Sequence, residues 1–322
     1  MTTEAAKPIQ AVLPWGATSY PPKLISHREN AVYDVMLPQG RAALRLHRPG
    51  YRTQGEILSE LQWTKALAEH SFPAPRPLQM LDGGLVHTLP DGQMVTVIAW
   101  MQGSPVGQGE VAFDNSKANL ATLYHDIGGL LAQLHNTTDA LTLPEGFSRP
   151  YWNRDGLTGD DPLWGRYWDA PGLSPVQVRT ICEARNRARG ILAEFDDEAD
   201  FGLIHADALR ENVFRNKAGL SLIDFDDAGF GYRMYELGSC VTQSVDEPAY
   251  DEIVLGLLDG YATERTLSHR SRLLFQMFAM LRSFSALGWT IPRLAHDHPK
   301  LSKYIRRAMT QAEIFLSDGK IG

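Results

Sequence analysis

The residues best suited to chemistry are gathered in one stretch, Gly202 to Gly231, which reads GLIHADALRENVFRNKAGLSLIDFDDAGFG. It holds His205-Ala206-Asp207, then Asn212 five positions after that aspartate, then Asp224-Phe225-Asp226. Phosphoryl transfer needs few parts: a hydroxyl held in line, an acceptor for its proton, and metal ions that neutralise a triphosphate. A loop aspartate such as Asp207 suits the proton acceptor. The amide oxygen of Asn212 and the carboxylate of Asp224 are hard donors suited to Mg²⁺. Val213-Phe214-Arg215 and Leu220-Ser221-Leu222-Ile223 flank Asn216-Lys217-Ala218-Gly219, a pattern that predicts a tight hairpin joining the two acidic elements. An isolated acidic pair commonly caps a turn or faces solvent. Order, spacing and hairpin together point to a site.

Such a segment needs a scaffold, and the preceding sequence supplies one. Ala31 to Met36 and Ala42 to His47 are strand-like around the turn Pro38-Gln39-Gly40, which predicts a β-hairpin closed by Pro49-Gly50. A helix is expected over Gln54 to Glu69 and is stopped by Pro73, Pro75 and Pro77. Gly84 to Leu89 and Met94 to Met101 read as two more strands, split by Pro90-Asp91-Gly92. Strand, strand, helix, strand, strand makes a small sheet carrying one helix. The loop Met101-Gln102-Gly103-Ser104-Pro105 suits a hinge, with domains expected at residues 1–101 and 102–322.

Beyond the hinge the text is mainly helical. Leu120, Leu123, Tyr124, Ile127, Leu130, Leu131 and Leu134 fall at helical spacing in Lys117 to His135. Further helices are expected at Pro175 to Phe195, Glu247 to Glu264, His269 to Leu287 and Lys300 to Leu316. Pro144 to Pro175, rich in Gly, Pro, Asp and Trp, is too long for a plain connector. The fold class is α+β: an amino-terminal antiparallel sheet with a helix, then a larger helical part.

The chain has 322 residues, 43% hydrophobic and 21% charged, with a net charge of -7. That balance argues against nucleic-acid binding through a broad basic surface, although Arg41 to Arg52 is a local basic run. Cys182 and Cys240, the two cysteines, lie in apolar helical contexts and read as buried reduced thiols. Met1 to Tyr20 lacks the pattern of a signal peptide, and no run of about 18 apolar residues suggests a membrane span. A cytoplasmic protein is the expectation.

The spacing H-x-D-x-x-x-x-N equals that of the protein-kinase catalytic loop, with Asp-Phe-Asp where those enzymes carry Asp-Phe-Gly. More specifically, the segment resembles the Brenner-type signature of the aminoglycoside phosphotransferase, choline kinase and homoserine kinase superfamily. Leu44 to Arg52 and Ile223 to Gly231 further resemble the bacterial branch that includes stress-response kinase A. The resemblance spans about Glu29 to Leu316 and implies a two-lobed kinase-like fold with ATP between the lobes. By position it implies Asp207 as catalytic base, Asn212 and Asp224 as magnesium ligands, and His205 as a brace of the catalytic loop. Asp226 matches a second family acid that faces substrate or holds the loop. Asp227 reads as a turn carboxylate.

The resemblance also implies roles in the amino-terminal part. Arg45 occupies the phosphate-gripping strand position that is Lys in many relatives; arginine keeps the charge but forks differently. Glu60 is placed to pair with it and Glu56, one turn earlier, is a rival, while either also suits a solvated helix surface. No G-x-G-x-x-G is present: Ser26-His27-Arg28-Glu29-Asn30 stands between the family's first two strands. Backbone amides from Arg28 to Asn30 would do the work of a glycine loop. Val97 to Met101 would pass behind adenine, with backbone groups of Ala99 and Met101 bonding the base; read alone it is an apolar core strand.

The phosphate acceptor is less legible. Several carboxylates, with Trp152, Trp164, Tyr167 and Trp168 in the long loop, suit a cationic amine bearing a hydroxyl, with Asp226, Trp164 and Trp168 as candidate substrate contacts. The same aromatics also suit packing anchors. Arg282, Trp289 and Arg293 are candidates for an acceptor wall or ordinary surface and core residues. An ATP- and Mg-dependent small-molecule kinase leads these readings. A Ser/Thr protein kinase on the same scaffold, a nucleotide-binding module of little activity, and a metal-dependent hydrolase follow. The last needs a further His or Asp cluster that His125 and His135 do not supply. Oligomeric state is not legible.

Overall fold

The structure is a computed structural model that describes residues 3–27, 29–109, 111–114, 116–195 and 199–318. Its contacts divide the chain into two compact units. The first comprises Met1–Ser104, Ala140–Arg149 and Asn216–Asp226; the second comprises Pro105–Asp139, Pro150–Arg215 and Asp227–Gly322. Two late segments thus join the sheet-bearing unit, unlike a single cut after Met101. Hydrogen bonds tie them there: Leu222 N–H donates to Pro73 O at 3.1 Å and Ser148 N–H to Ser59 Oγ at 2.9 Å.

The first unit is built on an antiparallel sheet ordered β1-β2-β3-β5-β4. Its strands are β1 (Lys23–His27), β2 (Ala31–Leu37), β3 (Gly40–Leu46), β4 (His87–Thr88) and β5 (Met94–Ala99). Alternation along β3 sends Ala42, Leu44 and Leu46 into a core with Val35, Val95 and Val97. α1 (Thr3–Val12) adds Ala11 and Val12 to that core, and Trp15 just beyond it joins them. Arg45, out of phase with that set, faces α2 (Gln54–Glu69), whose range matches the sequence expectation. The expected strand over Gly84 to Leu89 shrinks to His87–Thr88, because Met80 and Gly84 close a turn just before it.

β6 (Ser104–Pro105) marks the exit from the first unit. In the second unit, α3 (Lys117–Asp139) packs on α7 (Tyr250–Glu264) at backbone distance. A side chain at Gly128 would run into the Leu257 carbonyl, and one at Gly260 into that of His125. The long loop from 144 to 175 is not featureless: it carries β7 (Tyr151–Trp152), α4 (Arg154–Thr158) and a 3₁₀ turn at Tyr167–Asp169. α5 (Pro175–Phe195) follows, then β8 (Phe201–Ile204) and β9 (Val213–Asn216); β10 (Gly219–Leu222) falls in the segment that joins the first unit, and β11 (Gly229–Tyr232) resumes the second. β11 runs parallel to β7 and antiparallel to β8, and leads directly into α6 (Arg233–Val241). α8 (His269–Thr290) and α9 (Pro299–Asp318) complete the unit, each slightly longer than the sequence suggests. Cys240 is buried and Cys182 only half-buried, which corrects the expectation of two buried thiols. Among the described residues no helix is long and apolar enough to cross a membrane.

Candidate active site

In the first unit the chemistry converges on Arg45. Its Nη1 donates to Glu60 Oε1 at 2.7 Å, and both side chains are buried. The rival Glu56 is spent elsewhere: it closes a capping box with Thr53 at the start of α2. Arg45 Nη2 lies 3.6 Å from Asp224 Oδ1 and 3.5 Å from Asp226 Oδ1. Burial works against the charge on Arg45, but Glu60, Asp226 and Asp224 outweigh it and raise its pKa. Burial likewise opposes ionised Glu60, and Arg45 with Arg149 overcomes that and holds its pKa down. His47, buried beside them, falls to about 3 through desolvation and the Arg45 charge, so it is neutral when its Nε2 meets Thr96 Oγ1 at 2.9 Å.

The Asp224–Asp226 turn is fixed by residues the sequence does not flag. Arg149 Nη2 donates to Phe225 O at 3.1 Å and Asp226 O at 2.6 Å, and Arg52 Nε donates to Asp226 O at 3.1 Å. Asp224 sits at φ 64°, a left-handed conformation that few non-glycine residues adopt. Its side chain is 53% exposed while that of Asp226 is 8% exposed. Asp224 is thus the more exposed of the two carboxylates, and Asp226 is the buried one beside Arg45.

The other predicted residues of this unit divide. Asn30 Oδ1 accepts the Arg48 N–H at 3.0 Å, which fixes the turn after β1. Arg28 lies outside the described residues. Ala99 N–H donates to Arg76 O at 2.8 Å and Trp100 N–H to Arg41 O at 3.1 Å. Both groups are already used, so the Ala99 N–H is not a donor for adenine. Met101 follows directly after this bonded pair.

In the second unit a short turn explains the spacing between Asp207 and Asn212. Leu209 N–H donates to Asp207 O at 2.7 Å and Asn212 N–H to Leu209 O at 2.8 Å, which folds the chain back. Asn212 Nδ2 then reaches Asp207 O at 2.8 Å and Asp207 Oδ2 at 2.9 Å. With its nitrogen committed, the amide leaves its oxygen for a hard cation. Arg282 Nη2 donates to Asp207 Oδ1 at 2.7 Å, so both carboxylate oxygens are held.

The backbone of this turn is anchored from beneath. Ala206 sits at φ 64° and is fully buried. The N–H groups of His205 and Ala206 both donate to Glu236 on α6, and Asp207 N–H donates to His205 Nδ1 at 3.3 Å. Burial pushes the Glu236 pKa up to about 7, against the backbone donors and nearby arginines that lower it. His135, whose Nε2 is 3.8 Å from Glu236, is kept neutral by burial and the Arg233 charge. Glu236 went unread in the sequence; its one signal is a lone carboxylate in the apolar run Met234 to Val241.

The aromatic candidates separate. Trp164 lies over the Arg282 guanidinium, 4.8 Å from Cζ to ring centroid. Trp168 instead stacks with Arg185 at 4.4 Å and Arg166 at 5.2 Å. Both rings thus already meet protein cations. Arg293 rests over Trp289 and donates to its carbonyl, a local helix-end contact. Among the described residues no three His, Cys, Asp or Glu side chains gather as a metal cluster.

A family model described as the phosphotransferase enzyme family (APH) matches residues 23–275. The chain belongs to that family. The phosphotransferase is a kinase with an alcohol group as acceptor. It is 21% identical over 288 residues to amicoumacin kinase of Bacillus subtilis (strain 168), covering 87% of this chain and 82% of that protein. To homoserine kinase of Rhizobium etli it is 27% identical over 244 residues, covering 73% and 69%. Among solved structures, the microcompartment-associated aminopropanol kinase superposes with a TM-score of 0.83 at 27% identity, over 97% of this chain and 98% of that one. Amicoumacin kinase hAmiN, in complex with AMP-PNP, Ca²⁺ and Ami, gives 0.74 at 18% identity over 97% and 96%, a likeness of fold. The phosphotransferase thus has the expected α+β kinase-like fold, an antiparallel sheet region followed by a helical region.

Proposed function

We propose that the phosphotransferase moves the γ-phosphate of ATP, as its magnesium complex, to a hydroxyl of a small amino alcohol. The observation that carries this reading is the turn that binds Asn212 to both the carbonyl and the carboxylate of Asp207. It puts a proton acceptor and an amide oxygen on one rigid loop. The relatives support the acceptor class: one is named an aminopropanol kinase and another a homoserine kinase. AMP-PNP and Ca²⁺ in the hAmiN complex support use of a nucleotide and a divalent ion.

In this reading Asp207 takes the proton of the acceptor hydroxyl. The hydroxyl oxygen bonds to the γ-phosphorus as the bond to the ADP oxygen breaks. Asn212 on its loop and Asp224 on its turn would each offer a hard oxygen ligand to magnesium, which would neutralise phosphate charge. Arg45, oriented by Glu60 and with Nη2 3.5 Å from Asp226 and 3.6 Å from Asp224, would supply the positive charge that binds phosphate. Asn30 orders the turn whose amides cover the phosphates, and His205 braces the loop. The sheet-bearing unit would bind the nucleotide, with the strand end at Ala99 to Met101 against adenine, and the helical unit would bind the acceptor.

The test is ADP release from Mg·ATP by wild type and Asp207→Ala. The acceptors would be aminopropanol, homoserine, choline, ethanolamine, hydroxylysine, aminoglycosides and a generic Ser/Thr protein. Turnover with an amino alcohol, lost in the mutant, supports the reading. Turnover with the protein alone would replace it.

A further inference from the structure

The buried charge nearest Asp207 comes from a distant part of the sequence. Arg282 lies in the middle of α8, is 3% exposed, and donates through Nη2 to Asp207 Oδ1 at 2.7 Å. An arginine there is costly to bury, and the structure around it is built to hold it in one place. Trp164 covers its guanidinium at 4.8 Å, and Trp152 meets Trp164 edge-on at 4.9 Å. Gly288, six residues along α8, lets the loop touch the helix: a Cβ there would stand 2.7 Å from Gly165 O and 2.8 Å from Trp164 O. That close approach sets the indole on the guanidinium.

We propose that Arg282 is a positioning residue: clamped by Trp164, it fixes one oxygen of the Asp207 carboxylate while Asn212 fixes the other. This rests on the reading of Asp207 as the proton acceptor. A carboxylate gripped at both oxygens cannot rotate about its side-chain bonds. Its remaining lone pairs keep a single direction for the incoming hydroxyl. Lysine would supply the charge without the planar fork that Trp164 stacks upon. Tyr235, Asp227, Glu236 and Cys240 also interact electrostatically with Arg282, and Tyr235 and Cys240 with Asp207 as well.

The role predicts a loss in kcat rather than in KM, because misplacing a reacting group by about 1 Å costs on the order of 10²-fold in rate. Arg282→Met is expected to lower kcat about 10²-fold with the KM for ATP within about twofold of wild type. Arg282→Lys should recover part of that loss. Trp164→Leu, which loosens the guanidinium without removing it, should lower kcat by about tenfold and keeps the test open if Arg282→Met fails to fold. The deciding readout is a double-mutant cycle. In an Asp207→Asn background Arg282→Met should change residual turnover by less than about twofold, because the residue it acts through is already disabled. Additive losses would overturn the proposal, as would full kcat in Arg282→Met. Failure of wild type to transfer phosphate to any acceptor is a different result: it overturns the functional reading and the positioning role together.

Discussion

Glu236 accepts the Ala206 N–H at 3.1 Å and also the His205 N–H, so one fully buried carboxylate fixes the two residues that precede Asp207. Its ionisation is coupled to folding. Burial raises its pKa from 4.5 in an unfolded chain to about 7. Between those values the folded state binds the extra proton, so stability falls as pH rises through that window. The full effect is on the order of 3 kcal/mol. Thermal unfolding of wild type and Glu236→Gln between pH 5 and pH 8 checks it. Wild type should lose Tm relative to the variant as pH rises. A wild-type gain instead would mean that the backbone donors outweigh burial.

Arg45 and Glu60 form the second buried dependency. Removing the arginine strands an ionised carboxylate whose remaining cation, Arg149, lies 3.9 Å away. Breaking a buried pair in this way costs about 3–5 kcal/mol. Arg45→Met is expected to lower stability by that order and to weaken ATP binding. Arg45→Met with Glu60→Met should regain most of the stability while ATP affinity stays lost. Chemical denaturation and nucleotide titration read the two effects separately.

How far the sequence carried this site depends on the kind of signal. Arg45 was legible through the family resemblance, which left Glu60 and Glu56 as rival partners; the structure pairs it with Glu60 because Glu56 is used in the capping box. Asp207 and Asn212 were legible by spacing, although the turn that brings them together rests on Leu209 backbone bonds that no side chain announces. Arg149 acts through two carbonyls from a position with no pattern around it. α1 was missed because Pro8 lies inside the helix, where proline ordinarily breaks one. Ala206 and Asp224 both adopt left-handed backbone without being glycine, which composition cannot reveal.

Ala206 turns that last point into a prediction. Its methyl group is fully buried at φ 64°, so a glycine relieves the backbone strain but adds freedom to the unfolded chain. Ala206→Gly is expected to stay within about 1 kcal/mol of wild type and to keep its kcat. Ala206→Val places a branched side chain in the same left-handed, filled position and should cost more than about 2 kcal/mol. Denaturation midpoints with matched kinetics distinguish them, and a stable, active valine variant would contradict the strained-turn account.

Trp164 and Trp168, alike in the sequence, are separated by the arginines they cover. Trp168 packs on Arg185, whose Nη2 also donates to Gly159 O at 2.8 Å and Asp160 Oδ1 at 2.9 Å. That contact ties the long loop to α5 and involves no residue of the Asp207 turn. Trp164 covers Arg282, which holds Asp207. Trp168→Ala should therefore lower stability by about 2 kcal/mol through lost apolar burial, with kcat and the acceptor KM within about twofold of wild type. Trp164→Leu should show the opposite profile, a modest stability loss with a clear fall in kcat. If instead Trp168→Ala raised the acceptor KM tenfold with the fold intact, Trp168 would be an acceptor contact. The aromatic reading of the loop would then stand over the packing reading.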